Sequence, residues 1–357
     1  MRILTVGDTH LGKKPYNLTE KEKDIYEIFD YILEIAKNYD LVIFLGDLIE
    51  TEKNTKIKIE VSQALLKLIN SLNGKYLIIR GNHDNTELIK TLLEFSYPCK
   101  KFEEGWLLEG INSYSILGIH YTQENLLEIL DFFHSLLDPS KTILCIHSNI
   151  KELLPFETAI SLADLKPYHL ILNGHLHNHC QINNYLGVGA IDIFKKDEIQ
   201  DAKYVFELII ENEKIQISPI PLPIRPFTLL TSKKSLFNLL NLQTFKKPIV
   251  FYNPQTKEDT LTLSDMLFIE EKTLMFKIIT ENEDKTDFEK SKDQIKHLLN
   301  YANFQILETI DPKKIIIEIC QQFEIPENIL NKIEAYLNTK DKNVLKEVVY
   351  AIEEAGN

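Results

Sequence analysis

Five short apolar runs in the first half of the chain each end close to a polar motif, and this repetition constrains the fold more than any other feature. The runs are Ile3–Val6, Leu41–Leu45, Tyr76–Ile79, Thr142–Ile146 and Leu170–Leu172. Each has the length of a buried strand and carries Val or Ile. Close behind them stand Asp8-Thr9-His10, Gly46-Asp47, Gly81-Asn82-His83-Asp84, His147 and Gly174-His175-Leu176-His177. Helix-like stretches separate the first runs. In Thr19–Asn38 the apolar residues Ile25, Ile28, Phe29, Ile32, Leu33, Ile35 and Ala36 fall at helical spacing, and Thr19 with Glu22 reads as a capping box. Further helices are predicted at Lys56–Leu72 and Thr86–Phe95. Strand–helix alternation of this kind predicts a layered α/β fold.

The motif positions have a physical logic. Residues beyond the C-terminal ends of strands in an open α/β sheet converge on one crevice. Alternation along the chain sends Asp8 and His10 to the same side, and the glycines permit sharp turns that aim the next polar residue back at the crevice. Two carboxylates, one amide oxygen and four imidazoles are enough ligands for two divalent ions. Asp47 is expected between them as the bridging carboxylate. Two metals roughly 3.5–4 Å apart can clamp the attacking and leaving oxygens of a phosphate ester. The ligands are oxygen and imidazole without thiolate, which suits manganese, iron or zinc.

The chain of 357 residues has room for two or three domains. Ser218-Pro-Ile-Pro-Leu-Pro-Ile-Arg-Pro226 is read as an extended linker, because proline continues neither a helix nor a central strand. Residues 1–225 form the predicted first domain. Residues 226–310 read as a small α+β unit, with strands near Ile249–Tyr252 and Leu274–Thr280 and a helix near Asp287–Tyr301. Residues 311–357 read as all-helical, over Pro312–Phe323, Pro326–Leu337 and Asn343–Glu354. The four cysteines are scattered, with no Cys-x-x-Cys pair, which argues against a disulfide framework and a thiolate zinc site. No apolar run approaches the roughly 20 residues that cross a bilayer, and the N-terminus shows no signal-peptide pattern. The chain therefore reads as intracellular and free of a membrane partner. Its net charge of −13 runs against a nucleic-acid ligand, although bound cations would offset local negative charge.

The five motifs, in order, resemble the signature of the calcineurin-like metallophosphoesterases: D-x-H, G-D, G-N-H-D/E, H and G-H-x-H. The resemblance implies a two-layered sandwich with helices flanking the sheets. It implies one metal on Asp8, His10, Asp47 and His177 and another on Asp47, Asn82, His147 and His175. By the same likeness His83 reaches the phosphate, stabilising developing charge or protonating the leaving oxygen, and Asp84 orients His83. His179 is read as an exposed loop histidine. His120, His134, His169 and His297 match no motif and receive no role.

Three further features are similar to the Mre-eleven/SbcD family of DNA double-strand-break repair nucleases, archaeal type: His10-Leu11-Gly12 leading into Glu22–Phe29, Pro221–Phe227 as the domain junction, and Lys247–Phe251 with the helical tail. This resemblance implies a manganese-dependent nuclease with 3′-to-5′ exonuclease and single-strand endonuclease action, a capping domain over 226–310, and a cytoplasmic, nucleoid-associated protein. The implied partners are DNA and an SMC-like ATPase of the Rad-fifty/SbcC type, bound through 311–357. A homodimer is implied through helices near 57–71 and 86–95; the alternative is that their apolar residues only face the monomer's own core. The chain departs from the family where Lys13 replaces an aromatic residue, Glu50 replaces a histidine, and Ser148 replaces Gln or Gly. The competing reading is a small-molecule or nucleotide phosphodiesterase or phosphatase on the same two-metal scaffold.

Overall fold

A computed structural model describes residues 1–51, 57–122, 125–153, 160–199, 202–211, 213–242 and 246–253, with shorter stretches within 256–278 and residues 304–305. The chain divides into two compact units, Met1–Ile224 and Arg225–Asn357. The predicted helix near Asp287–Tyr301 and the helical segment 311–357 lie outside the described residues.

The first unit holds all five motif-bearing strands. A five-stranded sheet carries β1 (Arg2–Val6), β2 (Leu41–Leu45) and β3 (Tyr76–Ile79), which are parallel. Its other edge is an antiparallel hairpin of β11 (Tyr204–Glu211) and β12 (Lys214–Pro221). A seven-stranded sheet runs β4 (Lys100–Phe102), β5 (Gly105–Ile111), β6 (Tyr114–Ile119), β7 (Thr142–Ile146), β8 (Leu170–Asn173), β10 (Tyr185–Gly187) and β9 (Cys180–Ile182), the last two in that spatial order. The helices are α1 (Thr19–Ala36), α2 (Ile59–Leu72), α3 (Thr86–Glu94), α4 (Leu126–His134) and the short α5 (Leu162–Leu165).

Side-chain alternation decides the layering. On β7 and β8, Ile143, Cys145, Leu170 and Leu172 face a core shared with β1–β3 and with α1–α3. Their neighbours Leu144, Ile146 and Ile171 face the other way, onto Leu130 and Phe133 of α4 and Leu165 of α5. Strands β2 and β3 are buried at every position, as expected for parallel strands covered on both faces. The α/β sandwich predicted from the sequence is the fold observed. It places the C-terminal ends of β1, β2, β3, β7 and β8 at one crevice.

Two local expectations are corrected. Thr19 does not cap α1: the N-cap is Leu18, with no side-chain bond, and Glu22 instead meets Lys58 at 2.6 Å. The proline-rich run is not linker throughout. Pro219 and Pro221 lie in β12, opposite Phe206 and Tyr204. β12 is a sheet edge, where a missing N–H costs no ladder bond. On the helices near 57–71 and 86–95, Val61, Leu65, Leu68, Ile89, Leu92 and Leu93 belong to the unit's own core, while Ile59, Leu66 and Phe95 stay exposed.

The second unit carries a parallel sheet of β13 (Phe227–Leu230), β14 (Ile249–Tyr252), β15 (Met275–Ile278) and β16 (Phe304–Gln305), with α6 (Lys233–Leu240). Leu236 and Leu240 of α6 pack with Val250, Tyr252 and Phe276. No helix among the described residues is long and apolar enough to cross a membrane.

Candidate metal centre

Backbone hydrogen bonds join the motifs before any side chain acts. The amides of Thr9 and His10 donate to the carbonyl of Asp47 at 3.1 and 2.9 Å, and the amide of Glu50 returns to Leu11 at 2.9 Å. The amide of Thr51 donates to the carbonyl of His83 at 3.3 Å, and that of Gly174 to Ile146 at 3.1 Å. The turns are tight. His10, Asp47 and His175 hold φ of 45°, 47° and 72°, in the left-handed region, at a cost of roughly 1–3 kcal/mol each. Gly46, at φ 93°, passes so close to His147 that a Cβ there would overlap the imidazole.

All seven predicted ligand side chains converge. Nε2 of His10 lies 3.2 Å from Nε2 of His177, which is 3.6 Å from Oδ2 of Asp8. On the other side, Nε2 of His147 lies 3.0 Å from Oδ1 of Asn82, and Nδ1 of His175 lies 3.0 Å from that same oxygen. Oδ2 of Asp47 stands between the two groups, 3.7 Å from His10 and 3.4 Å from His147. Asp8, His10, Asp47 and His147 form the buried floor, and His175 and His177 are half-buried.

The donor set fits divalent cations. Oδ2 of Asp8 is buried without a hydrogen-bond partner; such an oxygen is costly to bury unless a cation faces it. In five of the predicted ligands the atom facing away from the centre has a partner, which orients the side chain. Asp8 Oδ1 accepts from the amide of His175 at 3.0 Å, and Asp47 Oδ1 from the amide of His83 at 2.8 Å. Nδ1 of His147 donates to the carbonyl of Leu45 at 2.8 Å, and Nδ1 of His177 to Glu198 at 2.7 Å. Nε2 of His175 meets Asn149 at 2.8 Å. Phe194 packs edge-on against His10 and His177, and Tyr121 stacks on His175.

Electrostatics follow from this crowding. Burial raises the carboxyl of Asp47, but the imidazoles of His147 and His10 outweigh it and hold it below the usual range. Burial lowers His147, yet Asp47 and Asp8 push it up to about 9. Burial, with the charge of Asp47, pushes Asp84 up to about 7.

Asp84 does not touch the His83 ring as expected. Its oxygens accept from the amides of Gly81 and Ile49 at 2.8 and 2.9 Å, so it braces the turn. The partner of His83 is Glu50, whose Oε1 lies 2.8 Å from Nδ1. Lys13, another departure from the family pattern, meets Oε2 of Glu50 at 2.7 Å. A cavity of about 610 Å³ opens over the centre, lined by His10, Lys13, Asp47, His83, His175 and His177 and reaching Lys195 and Asp197. Sequence reasoning missed Glu198, Asn149, Tyr121 and Phe194, none of which carries a motif spacing. His179 is half-buried rather than exposed, its ring 4.9 Å from that of Tyr204. The amide of Arg80 donates to His120 at 3.1 Å.

Residues 1–209 match the family described as calcineurin-like phosphoesterase. The chain is 28% identical over 273 residues to the DNA double-strand break repair protein Mre11 of Saccharolobus solfataricus, covering 70% of this chain and 69% of that one. It is 31% identical to the Mre11 of Sulfolobus acidocaldarius, over 56% of this chain and 57% of the relative. It is 26% identical to the Mre11 of Methanocaldococcus jannaschii, over 95% of this chain and 99% of the relative. Because the family match spans every ligand-type residue and the likeness to Mre11 proteins extends into the second unit, the chain belongs to the calcineurin-like phosphoesterase family, in its Mre11 group.

Proposed function

We propose that this chain is a manganese-dependent DNA nuclease that processes double-strand breaks, with 3′-to-5′ exonuclease action on double-stranded ends and endonuclease action on single strands. The observation that carries the reading is the position of Asp47 Oδ2, which faces the His10 and His147 sides of the centre at once. Asp8, His10, Asp47 and His177 would hold one ion; Asp47, Asn82, His147 and His175 would hold the second. Bound divalent ions supply Lewis-acid activation of the attacking water and neutralise charge on the phosphate. The protein's own groups do the rest. The buried floor excludes bulk water beneath the reacting phosphate. His83, which lines the cavity, donates a hydrogen bond to a phosphoryl oxygen or a proton to the leaving oxygen. Asp84 braces the turn that presents His83.

The name shared by the relatives, DNA double-strand break repair protein Mre11, supports DNA as the substrate. On the sequence resemblance of Pro221–Phe227, Lys247–Phe251 and the tail, residues 226–310 would be a capping domain for DNA and 311–357 the binding segment for an SMC-like ATPase. The exposed Ile57, Ile59, Leu66 and Phe95 offer apolar surface for a homodimer through the helices near 57–71 and 86–95. A second reading, a small-molecule or nucleotide phosphodiesterase, is favoured by the net charge of −13 and by the Lys13–Glu50 pair beside the centre, which neutralises a cation there. Manganese-dependent cleavage of end-labelled single- and double-stranded DNA, beside a chromogenic phosphodiester, tests the two. Degradation of DNA by the wild type but not by His83→Ala supports the nuclease. Cleavage of the small diester alone, even with the ATPase added, selects the second reading.

A further inference from the structure

Three side chains of the cavity meet at one carboxylate. Oε1 of Glu50 lies 2.8 Å from Nδ1 of His83. Oε2 lies 2.8 Å from Nδ1 of His10 and 2.7 Å from Nζ of Lys13. The backbone leaves Glu50 little choice of place. Its amide is bonded to Leu11, and the amide of the next residue, Thr51, is bonded to His83, so the carboxylate stands between the first and third motifs. Both oxygens of Asp84 are taken by amides, so Glu50 alone among the described carboxylates meets the His83 ring.

We propose that Glu50 is the positioning residue of His83 in this chain and that Lys13 is its charge partner, so that two of the three departures from the family pattern form one unit. Its activity arm rests on the two-metal phosphodiester hydrolysis that both readings above share. Nδ1 of His83 donates to Glu50, which directs Nε2 into the cavity. The ring is otherwise more than a third exposed, with a side-chain exposure of 38%, and would sample several rotamers. Lys13 holds the carboxylate from its other oxygen. His10, Glu50 and His83 stand close enough together to hold a cation themselves, but the ammonium of Lys13 at 2.7 Å already supplies the positive charge and disfavours a third ion there.

The test uses the full chain as wild type, Glu50→Ala, Glu50→Gln, Lys13→Met, His83→Ala and the Glu50→Ala/His83→Ala double variant. Manganese-dependent hydrolysis of bis(4-nitrophenyl) phosphate is measured along with bound manganese, and long-range proton–nitrogen spectra of the imidazoles are recorded on metal-free protein. Because Glu50 also stands behind Nδ1 of His10, rates are compared at saturating manganese, where Glu50→Ala should lower kcat about 10- to 100-fold and should add no loss once His83 is alanine. The His83 Nδ1–H signal should persist in wild type and vanish in Glu50→Ala. Glu50→Gln, which keeps an acceptor oxygen, should recover part of the rate, and Lys13→Met should lose less than Glu50→Ala. An equal further loss in the His83→Ala background at saturating manganese, a rate fully restored by added manganese, or an unchanged His83 signal would each overturn the assignment. A wild type that cleaves no phosphodiester would undo the proposed hydrolysis, while the spectra would still decide whether Glu50 positions His83.

Discussion

The carboxylate of Glu198 accepts from Nδ1 of His177 at 2.7 Å and turns that ring so that Nε2 faces Asp8. Glu198 is itself held: its other oxygen accepts from the amide of Phe194 at 3.0 Å and lies 3.4 Å from Nζ of the buried Lys203. A carboxylate behind a metal-binding imidazole fixes the tautomer and strengthens the ligand. Glu198→Ala should therefore weaken manganese binding about 10- to 100-fold, as read by calorimetric titration. Unchanged affinity would mean that His177 is oriented by packing alone, for which Phe194 is the candidate.

Asp47 and Asp8 should differ in kind. Asp47 offers the oxygen that both clusters face, and Asp8 belongs to one. Asp47→Ala is expected to abolish tight binding of both ions, and Asp8→Ala to leave about one of the two. Elemental analysis of dialysed protein gives the stoichiometry. Equal losses in both variants would argue that the two sites assemble only together.

A pH dependence follows from His147. In the metal-free fold its pKa is raised from 6.5 to about 9, by Asp47 and Asp8 against the cost of burial. A raised imidazole stabilises fully below its unfolded value, and that contribution is lost as pH rises from about 6.5 through about 9. Metal requires the neutral ring, so binding near pH 7 displaces a proton. The Tm of chelator-treated protein should fall across this window while manganese affinity rises. Titration heats should change with the ionisation enthalpy of the buffer. Buffer-independent heats would count against a protonated His147.

Gly46→Ala should damage both stability and metal binding. The position has φ 93°, and a Cβ would overlap the ring of His147. The backbone strain alone is worth about 1–3 kcal/mol, and displacing the imidazole would remove a proposed ligand. Chemical denaturation and manganese titration of this variant report the two effects separately. A stable variant with normal affinity would contradict the geometry of this turn.

Lys21 of α1 and Asp192 pair at zero exposure beneath the loop that carries Phe194. Removing one partner strands a buried charge, at about 3–5 kcal/mol. Lys21→Met should lower the Tm markedly, and adding Asp192→Asn should restore part of the loss. Additive losses in the double variant would show that the pair is not coupled.

The five strands, the positions of their motifs and a layered α/β fold were legible in the sequence, because burial, period and turn chemistry are written into neighbouring residues; the two-sheet sandwich came from the family resemblance. Leu41–Leu45 is apolar throughout and is buried throughout; Gly46 and Asp47 announce the turn that follows. The edge strand β12 was hidden because proline speaks against a central strand and says nothing about an edge. The pairing of Glu50 with His83, rather than Asp84 with His83, was decided by the tertiary structure. Glu50 and Asp84 are both near His83 once the chain folds, but the amides of Gly81 and Ile49 claim Asp84 and leave the ring to Glu50. Glu198 behind His177 and Asn149 behind His175 likewise depend on the paths of loops between strands. The sequence by itself determined which residue types stand at strand ends and so which chemistry is open to the chain. The fold decided which atom each of them faces, because that depends on contacts between segments far apart in the chain that no local pattern encodes.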